Sequence, residues 1–174
     1  MHTIERYHDI SCGHRVAGHE SKCAHLHGHN YRVTFVCAAA WHQIEVTTLE
    51  SAEPQYVPGD ARRQLDSIGR VIDFSVVKAR LCQWLEDNWD HKFLCWEGDN
   101  SMQLLQRAMV SNGPATAGLC SSLVWTPFNP TAENMAQHLV EVVGPQQLAG
   151  THVRVIACKV EETRKCSATY FAED

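Results

Sequence analysis

Five histidines, His14, His19, His25, His27 and His29, crowd residues 14–29 of a chain that holds eleven in all. The central run is Cys23-Ala24-His25-Leu26-His27-Gly28-His29. In a strand, residues i and i+2 share a face about 6.5–7 Å apart, so His27 and His29 can reach one ion. Gly28 removes the intervening side chain and lets another backbone come close. His14, on the preceding arm of a hairpin, can supply a third nitrogen. His25 continues the i, i+2 series, so His25, His27 and His29 form a competing set that spacing does not separate from His14, His27 and His29. Three imidazoles without a fourth protein ligand leave one position open, the pattern of a catalytic zinc; imidazole also suits copper, nickel or iron. A lone histidine is commonly an ordinary surface or hydrogen-bonded residue, so only the clustering carries this reading.

The elements that must position these residues are legible from periodicity. Residues 3–10 and 30–38 read as strands, which places the histidine-rich segment inside their hairpin. Residues 42–69 read as a strand edge followed by a long loop. Asp73 or Ser75 can cap a helix to about Asn88, with Val76, Val77, Leu81, Trp84 and Leu85 on one face. A short helix is expected over 101–110, ended by Asn112-Gly113-Pro114. Thr131 caps a further helix to about Val143, where Gly144-Pro145 stops it. Residues 151–160 and 167–172 read as the last strands. The order β-β-α-(insert)-α-β-β predicts an α+β class: one domain over 1–174, with insertions at about 42–68 and 95–126.

Composition narrows the function. The 174 residues suit one domain or one subunit of a symmetric assembly, and 44% hydrophobic content supports a core. A net charge of -5 argues against a nucleic-acid partner, which calls for a basic face. No apolar run reaches membrane-span length, and Met1 to Ile10 lack the pattern of a signal peptide, so the expected location is cytoplasmic. The eight cysteines, Cys12, Cys23, Cys37, Cys82, Cys95, Cys120, Cys158 and Cys166, form no C-x-x-C pair. In that compartment they are expected as free thiols. No Gly-rich phosphate loop occurs.

Several motifs in fixed order carry a family resemblance. They are His14 with Cys23-x-x-x-His27-Gly28-His29-Asn30-Tyr31; Gly69-Arg70-Val71-Ile72-Asp73-Phe74 with Lys78; Trp89-Asp90-His91-Lys92-Phe93-Leu94; Pro130-Thr131-Ala132-Glu133-Asn134; and Val160-Glu161-Glu162-Thr163. Each is weak alone, but the ordered set spans nearly the whole chain. It resembles the 6-pyruvoyltetrahydropterin synthase / 6-carboxytetrahydropterin synthase family. The resemblance implies the tunnelling fold, with an antiparallel four-stranded sheet and two helices packed on one face between the hairpins. It implies Zn2+ held by His14, His27 and His29, with Cys23, Asp90 and His91 catalytic. It also implies that Glu162 anchors the pterin ring, that Thr131 lines the pterin pocket, and that the assembly is a homohexamer of two trimers with active sites between subunits. Two features depart from the pattern. Ile10-Ser11-Cys12-Gly13-His14 replaces an F-x-A-x-H run, and the segments 42–68 and 95–126 are long.

The implied substrate is 7,8-dihydroneopterin triphosphate. Beside a dication a thiol loses its proton more easily, so Cys23 suits a base; alone it would pass for an inert buried thiol. Asp90 can orient His91, although neighbours on one element usually point apart and an Asp-His pair at a helix end often serves only as a cap. A Glu162 carboxylate matches the paired amino and ring N–H groups of a pterin edge; otherwise it is an ordinary strand-end acid. Arg15, Lys22, Lys92, Arg164 and Lys165 are cations available to a triphosphate, and none is assigned. Three residues separate Cys23 from His27, which resembles the 6-carboxytetrahydropterin synthase branch, feeding 7-deazaguanine (queuosine) synthesis; the 6-pyruvoyl branch usually has a longer gap. The competing readings are 6-pyruvoyltetrahydropterin synthase, a non-catalytic pterin or zinc binder, and a structural zinc protein.

Overall fold

The computed structural model describes residues 1–40 and 65–173, so the loop expected at 42–68 lies, up to residue 64, outside the described residues. Strand β1, Thr3–His14, pairs antiparallel with β2, His27–Ala39, in a register that sets Ile10 opposite Tyr31, Cys12 opposite His29 and His14 opposite His27. Both strands run longer than their apolar patterns. His14, His27 and His29 are therefore strand residues at the loop end of the hairpin, whose connection includes a single helical turn at Lys22–Ala24.

Helix α1 runs from Phe74–Val77 through a π-turn at Lys78–Cys82 to Gln83–Asn88. Asp73 caps it by accepting from the Ser75 N–H at 2.8 Å. Then come β3, Phe93–Trp96; α2, Asn100–Ser111; a 3-10 turn, Gly113–Thr116; α3, Ala117–Ser122; and β4, Leu123–Thr126. Helix α4 begins as Ala132–His138, passes a π-turn at Leu139–Val143 and continues over Gly144–Gln147. The hairpin of β5, Val153–Thr163, and β6, Cys166–Phe171, closes the chain.

The fold is α+β, but its sheet is not the expected four-stranded antiparallel one. Among the described residues six strands lie in the order β4-β3-β1-β2-β5-β6, and β3 and β4 join parallel to β1 and to each other. Four-residue strands give too little alternation to be read from sequence. The described residues form four helices rather than two. Helix α4 also runs past Gly144-Pro145: Pro145 occupies the first turn of a renewed helix, where its missing N–H costs nothing. A Cβ on Gly144 would come within 2.9 Å of Val155, so glycine there lets α4 approach β5.

Alternation explains the core. Tyr31, Val33, Phe35 and Cys37 of β2 and Val153, Val155, Cys158 and Val160 of β5 face inward, against Val77, Leu81 and Leu85 of α1 and Met135, Leu139 and Val143 of α4. Each such side chain contributes about 1.5–3 kcal/mol by leaving water. His8 of β1 reaches Glu86 of α1 at 2.9 Å. All eight cysteines are free. No helix among the described residues is long and apolar enough to cross a membrane.

Candidate metal centre and active site

The same alternation that buries Tyr31 and Ile10 sends three imidazoles inward at the end of β1 and β2. One nitrogen from each of His14, His27 and His29 lies within 4.8 Å of the others. Ring centroids are 4.4 Å apart for His14 and His27, 5.2 Å for His14 and His29, and 5.0 Å for His27 and His29. Of the two sets that spacing allowed, this is the one whose ring nitrogens converge. His25 is outside the group: its backbone carbonyl, not its ring, takes part, meeting His27 Nδ1 at 2.8 Å. Gly28 is needed between the pair, because a Cβ there would press to 2.9 Å on the Cys12 carbonyl oxygen.

The ring environments suit a cation. His14, only 1% exposed, donates from Nδ1 to the Pro130 carbonyl at 2.6 Å. The bonds at Nδ1 of His14 and His27 keep each proton there and leave Nε2 as a lone pair, the arrangement expected of metal-bound histidines. Nε2 of His14 and of His29 is buried with no hydrogen-bond partner, a costly state that a bound ion relieves. Burial, opposed by the Pro130 carbonyl and reinforced by the charges of His27 and His29, lowers the His14 pKa to about 4. Burial also lowers that of His29, against the pull of Glu162. Deprotonated nitrogens at neutral pH are what a metal requires. The donors present therefore fit a divalent metal such as zinc, with a fourth position left to solvent or substrate.

Around this centre the other singled-out residues divide. Glu162, at the end of β5, turns inward, with Oε1 3.9 Å from His14 Nε2. Cys23 is half-buried in the turn between β1 and β2 and accepts the Val16 N–H on its carbonyl at 2.8 Å; it is not among the converging ligands. Thr131 uses its hydroxyl to cap α4, accepting from the Asn134 N–H at 3.3 Å, and is not one of the residues lining the main cavity. Asp90 and His91 do face each other, Oδ2 to Nδ1 at 2.7 Å. The usual divergence of adjacent side chains is overcome by His91, which takes φ 55, a left-handed turn that folds its ring back. Asp90 Oδ1 accepts the Ser11 N–H at 2.8 Å, and the His91 N–H donates to the Ser11 carbonyl, docking the turn on the edge of β1. Burial raises the Asp90 pKa, but the Ser11 and His91 hydrogen bonds outweigh it and the net shift is downward. The His91 side chain is 82% exposed.

A cavity of about 900 Å³ runs along this end of the sheet, lined in part by Ser11, His29, Asn30, Asp90, His91 and Glu162. Cys12, at the departure from the family pattern, is buried opposite His29, and burial followed by the charge of Asp90 raises its pKa to about 12. It stays a neutral packing thiol. Tyr31, in edge contact with His14 and His29, presents a buried hydroxyl without a partner. The Pro130 carbonyl had no sequence signal as a partner of His14, because any residue type supplies a carbonyl and the two lie 116 positions apart.

Residues 3–173 match the family model described as 6-pyruvoyl tetrahydropterin synthase. The 6-carboxy-5,6,7,8-tetrahydropterin synthase of Rickettsia felis is 28% identical over 158 residues, 91% of each chain. The protein of that name from Haemophilus influenzae is 24% identical over 139 residues, 80% of this chain and 79% of its own. Among solved structures, an uncharacterized protein from Wolinella succinogenes aligns with a TM-score of 0.72 at 22% identity, covering 99% of this chain and 98% of that one. The 6-pyruvoyl tetrahydropterin synthase of Caenorhabditis elegans aligns at 0.53 and 18% identity, covering 98% and 95%. The ordered motifs and the histidine geometry thus meet in one lineage: the chain belongs to the 6-pyruvoyl tetrahydropterin synthase family.

Proposed function

We propose that the protein is a zinc-dependent 6-carboxy-5,6,7,8-tetrahydropterin synthase. In this reading it converts 7,8-dihydroneopterin triphosphate and one water to 6-carboxytetrahydropterin, acetaldehyde and triphosphate, in the cytoplasm, for 7-deazaguanine synthesis. The observation that carries it is the convergence of the His14, His27 and His29 nitrogens within 4.8 Å. The names of the curated relatives and the three-residue gap between Cys23 and His27 favour this branch over 6-pyruvoyltetrahydropterin synthase.

Bound zinc supplies a Lewis acid that polarises substrate oxygens and stabilises negative charge developing on them. Glu162 offers two acceptor oxygens to the amino and ring N–H edge of the pterin and so orients it. Cys23 takes a proton from the substrate side chain. Asp90 fixes the His91 ring through Nδ1 and leaves Nε2 free to give or receive a proton. The high exposure of His91 agrees with an active site completed by a second subunit, as in the hexamer of two trimers that the family resemblance implies. The α+β architecture is accordingly read as a tunnelling fold.

The test is incubation of zinc-loaded protein with 7,8-dihydroneopterin triphosphate. Acetaldehyde and a 6-carboxy product are expected, and Cys23→Ala should lose at least 100-fold in kcat, a typical worth of a positioned acid/base. Formation of 6-pyruvoyltetrahydropterin would move the protein to the other branch. No turnover by zinc-loaded protein would leave a non-catalytic binder, and a Cys23→Ala variant as fast as wild type would remove Cys23 from the chemistry.

A further inference from the structure

The chain leaving β1 is held at four successive residues by three separate parts of the molecule. His14 donates to the Pro130 carbonyl at 2.6 Å, and Arg15 Nε lies 3.3 Å from Asp99 Oδ2. The Val16 N–H donates to the Cys23 carbonyl at 2.8 Å. The Ala17 N–H donates to Asn129 Oδ1 at 3.0 Å, and Asn129 Nδ2 donates to the Ala17 carbonyl at 2.8 Å. A single side-chain amide thus satisfies both backbone groups of Ala17, as a strand partner would. Asn129 is itself anchored. Its carbonyl accepts the Thr131 N–H at 2.7 Å and the Asn134 Nδ2 at 2.9 Å, which ties it to the first turn of α4.

We infer that Asn129 is a positioning residue of the histidine centre, an inference that rests on reading the three histidines as a metal site. Pro130 follows Asn129 directly, so the clamp on Ala17 and the anchor on α4 together fix where the Pro130 carbonyl stands. That carbonyl holds the His14 proton on Nδ1 and aims Nε2 at the other two imidazoles. Through Ala17 and Val16 the same amide sets the height of the Cys23 turn. Without it, Ala17 loses both partners and the carbonyl no longer has a fixed distance to His14. Loss of such outer partners costs about 10–100-fold in metal affinity.

The experiment compares wild type, Asn129→Ala and Asn129→Asp, with Zn2+ affinity measured by chelator competition and Co2+ as a spectroscopic probe. Asn129→Ala should bind Zn2+ about 10–100-fold more weakly and show an altered Co2+ visible spectrum, with the far-ultraviolet dichroism of wild type. Asn129→Asp keeps the acceptor for the Ala17 N–H and should fall between. Should Asn129→Ala not fold, Asn134→Ala, which removes one bond to the Asn129 carbonyl, should still weaken Zn2+ measurably. Wild-type affinity and Co2+ spectrum in the folded variants, even with a lowered Tm, would reduce Asn129 to a structural residue and overturn the inference. If wild type and His27→Ala bind Zn2+ alike, the metal centre itself is wrong and the inference goes with it.

Discussion

The chemistry of single residues here depends on which nitrogen of each histidine is free, and that is decided by backbone carbonyls. Pro130 and His25 fix two of the rings. Burial favours the neutral form of His14 and of His29, and this has a consequence in the metal-free protein. The His14 pKa is about 4 against an ordinary 6.5, while those of His29 and His138 are also lowered by burial. A depressed histidine pKa means that the unfolded chain takes up the proton first. Stability is therefore full above pH 6.5 and falls between pH 6.5 and about 4, by at most about 1.4 kcal/mol per pH unit for each histidine. For His14 the whole effect is on the order of 3 kcal/mol. Denaturant unfolding of stripped protein from pH 7.5 to 4.5 should show this slope, and His14→Asn should flatten it. Equal slopes in the two proteins would mean that His14 protonates freely in the fold.

At the scale of the elements, α2 is tied to the site through its capping residue, Asp99. Asp99 is 5% exposed and has two tasks. Its Oδ1 caps α2, accepting the Ser101 N–H at 3.0 Å and the Met102 N–H at 3.3 Å, while Oδ2 faces Arg15 next to His14. Removing a cap costs about 0.5–2 kcal/mol, and stranding one member of a largely buried ion pair costs more. Asp99→Ala should lower unfolding free energy by about 3 kcal/mol. Asp99→Asn, which keeps an oxygen for the cap, should lose less. Urea midpoints at unchanged m-value measure both. A loss under about 0.5 kcal/mol for alanine, the range of an ordinary surface change, would show that α2 docks without this residue. The role of Asp99 was invisible in sequence, where an Asp before a helix reads as a cap and nothing names its second partner.

At the scale of the molecule, the histidine centre lies at one end of a sheet whose apolar core is already packed by α1 and α4. An ion bound there would therefore add to a fold that stands without it. On the proposed function, a chelator should abolish turnover yet leave far-ultraviolet dichroism and cooperative unfolding essentially unchanged. Restored zinc should raise stability by about 4 kcal/mol at a free concentration one thousand times Kd. Outright unfolding on chelation would make the site structural.

Local pattern determined much of this protein. Period-two alternation marked β1, β2, β5 and β6, helical spacing marked α1 and α4, and Asp73 and Thr131 were readable as caps because a cap acts within four residues. His27 and His29 were legible as a pair for the same reason: i and i+2 on a strand share a face whatever the strand packs against. The tertiary structure alone decided what depends on contacts between distant segments. Register across β1 and β2 set His14 opposite His27 and left the His25 ring out. Parallel pairing brought β3 and β4 into the sheet, and a left-handed turn at His91 closed it onto Asp90. Such contacts join groups whose separation along the chain exceeds any local period, and many of the partners are backbone atoms that every residue type carries.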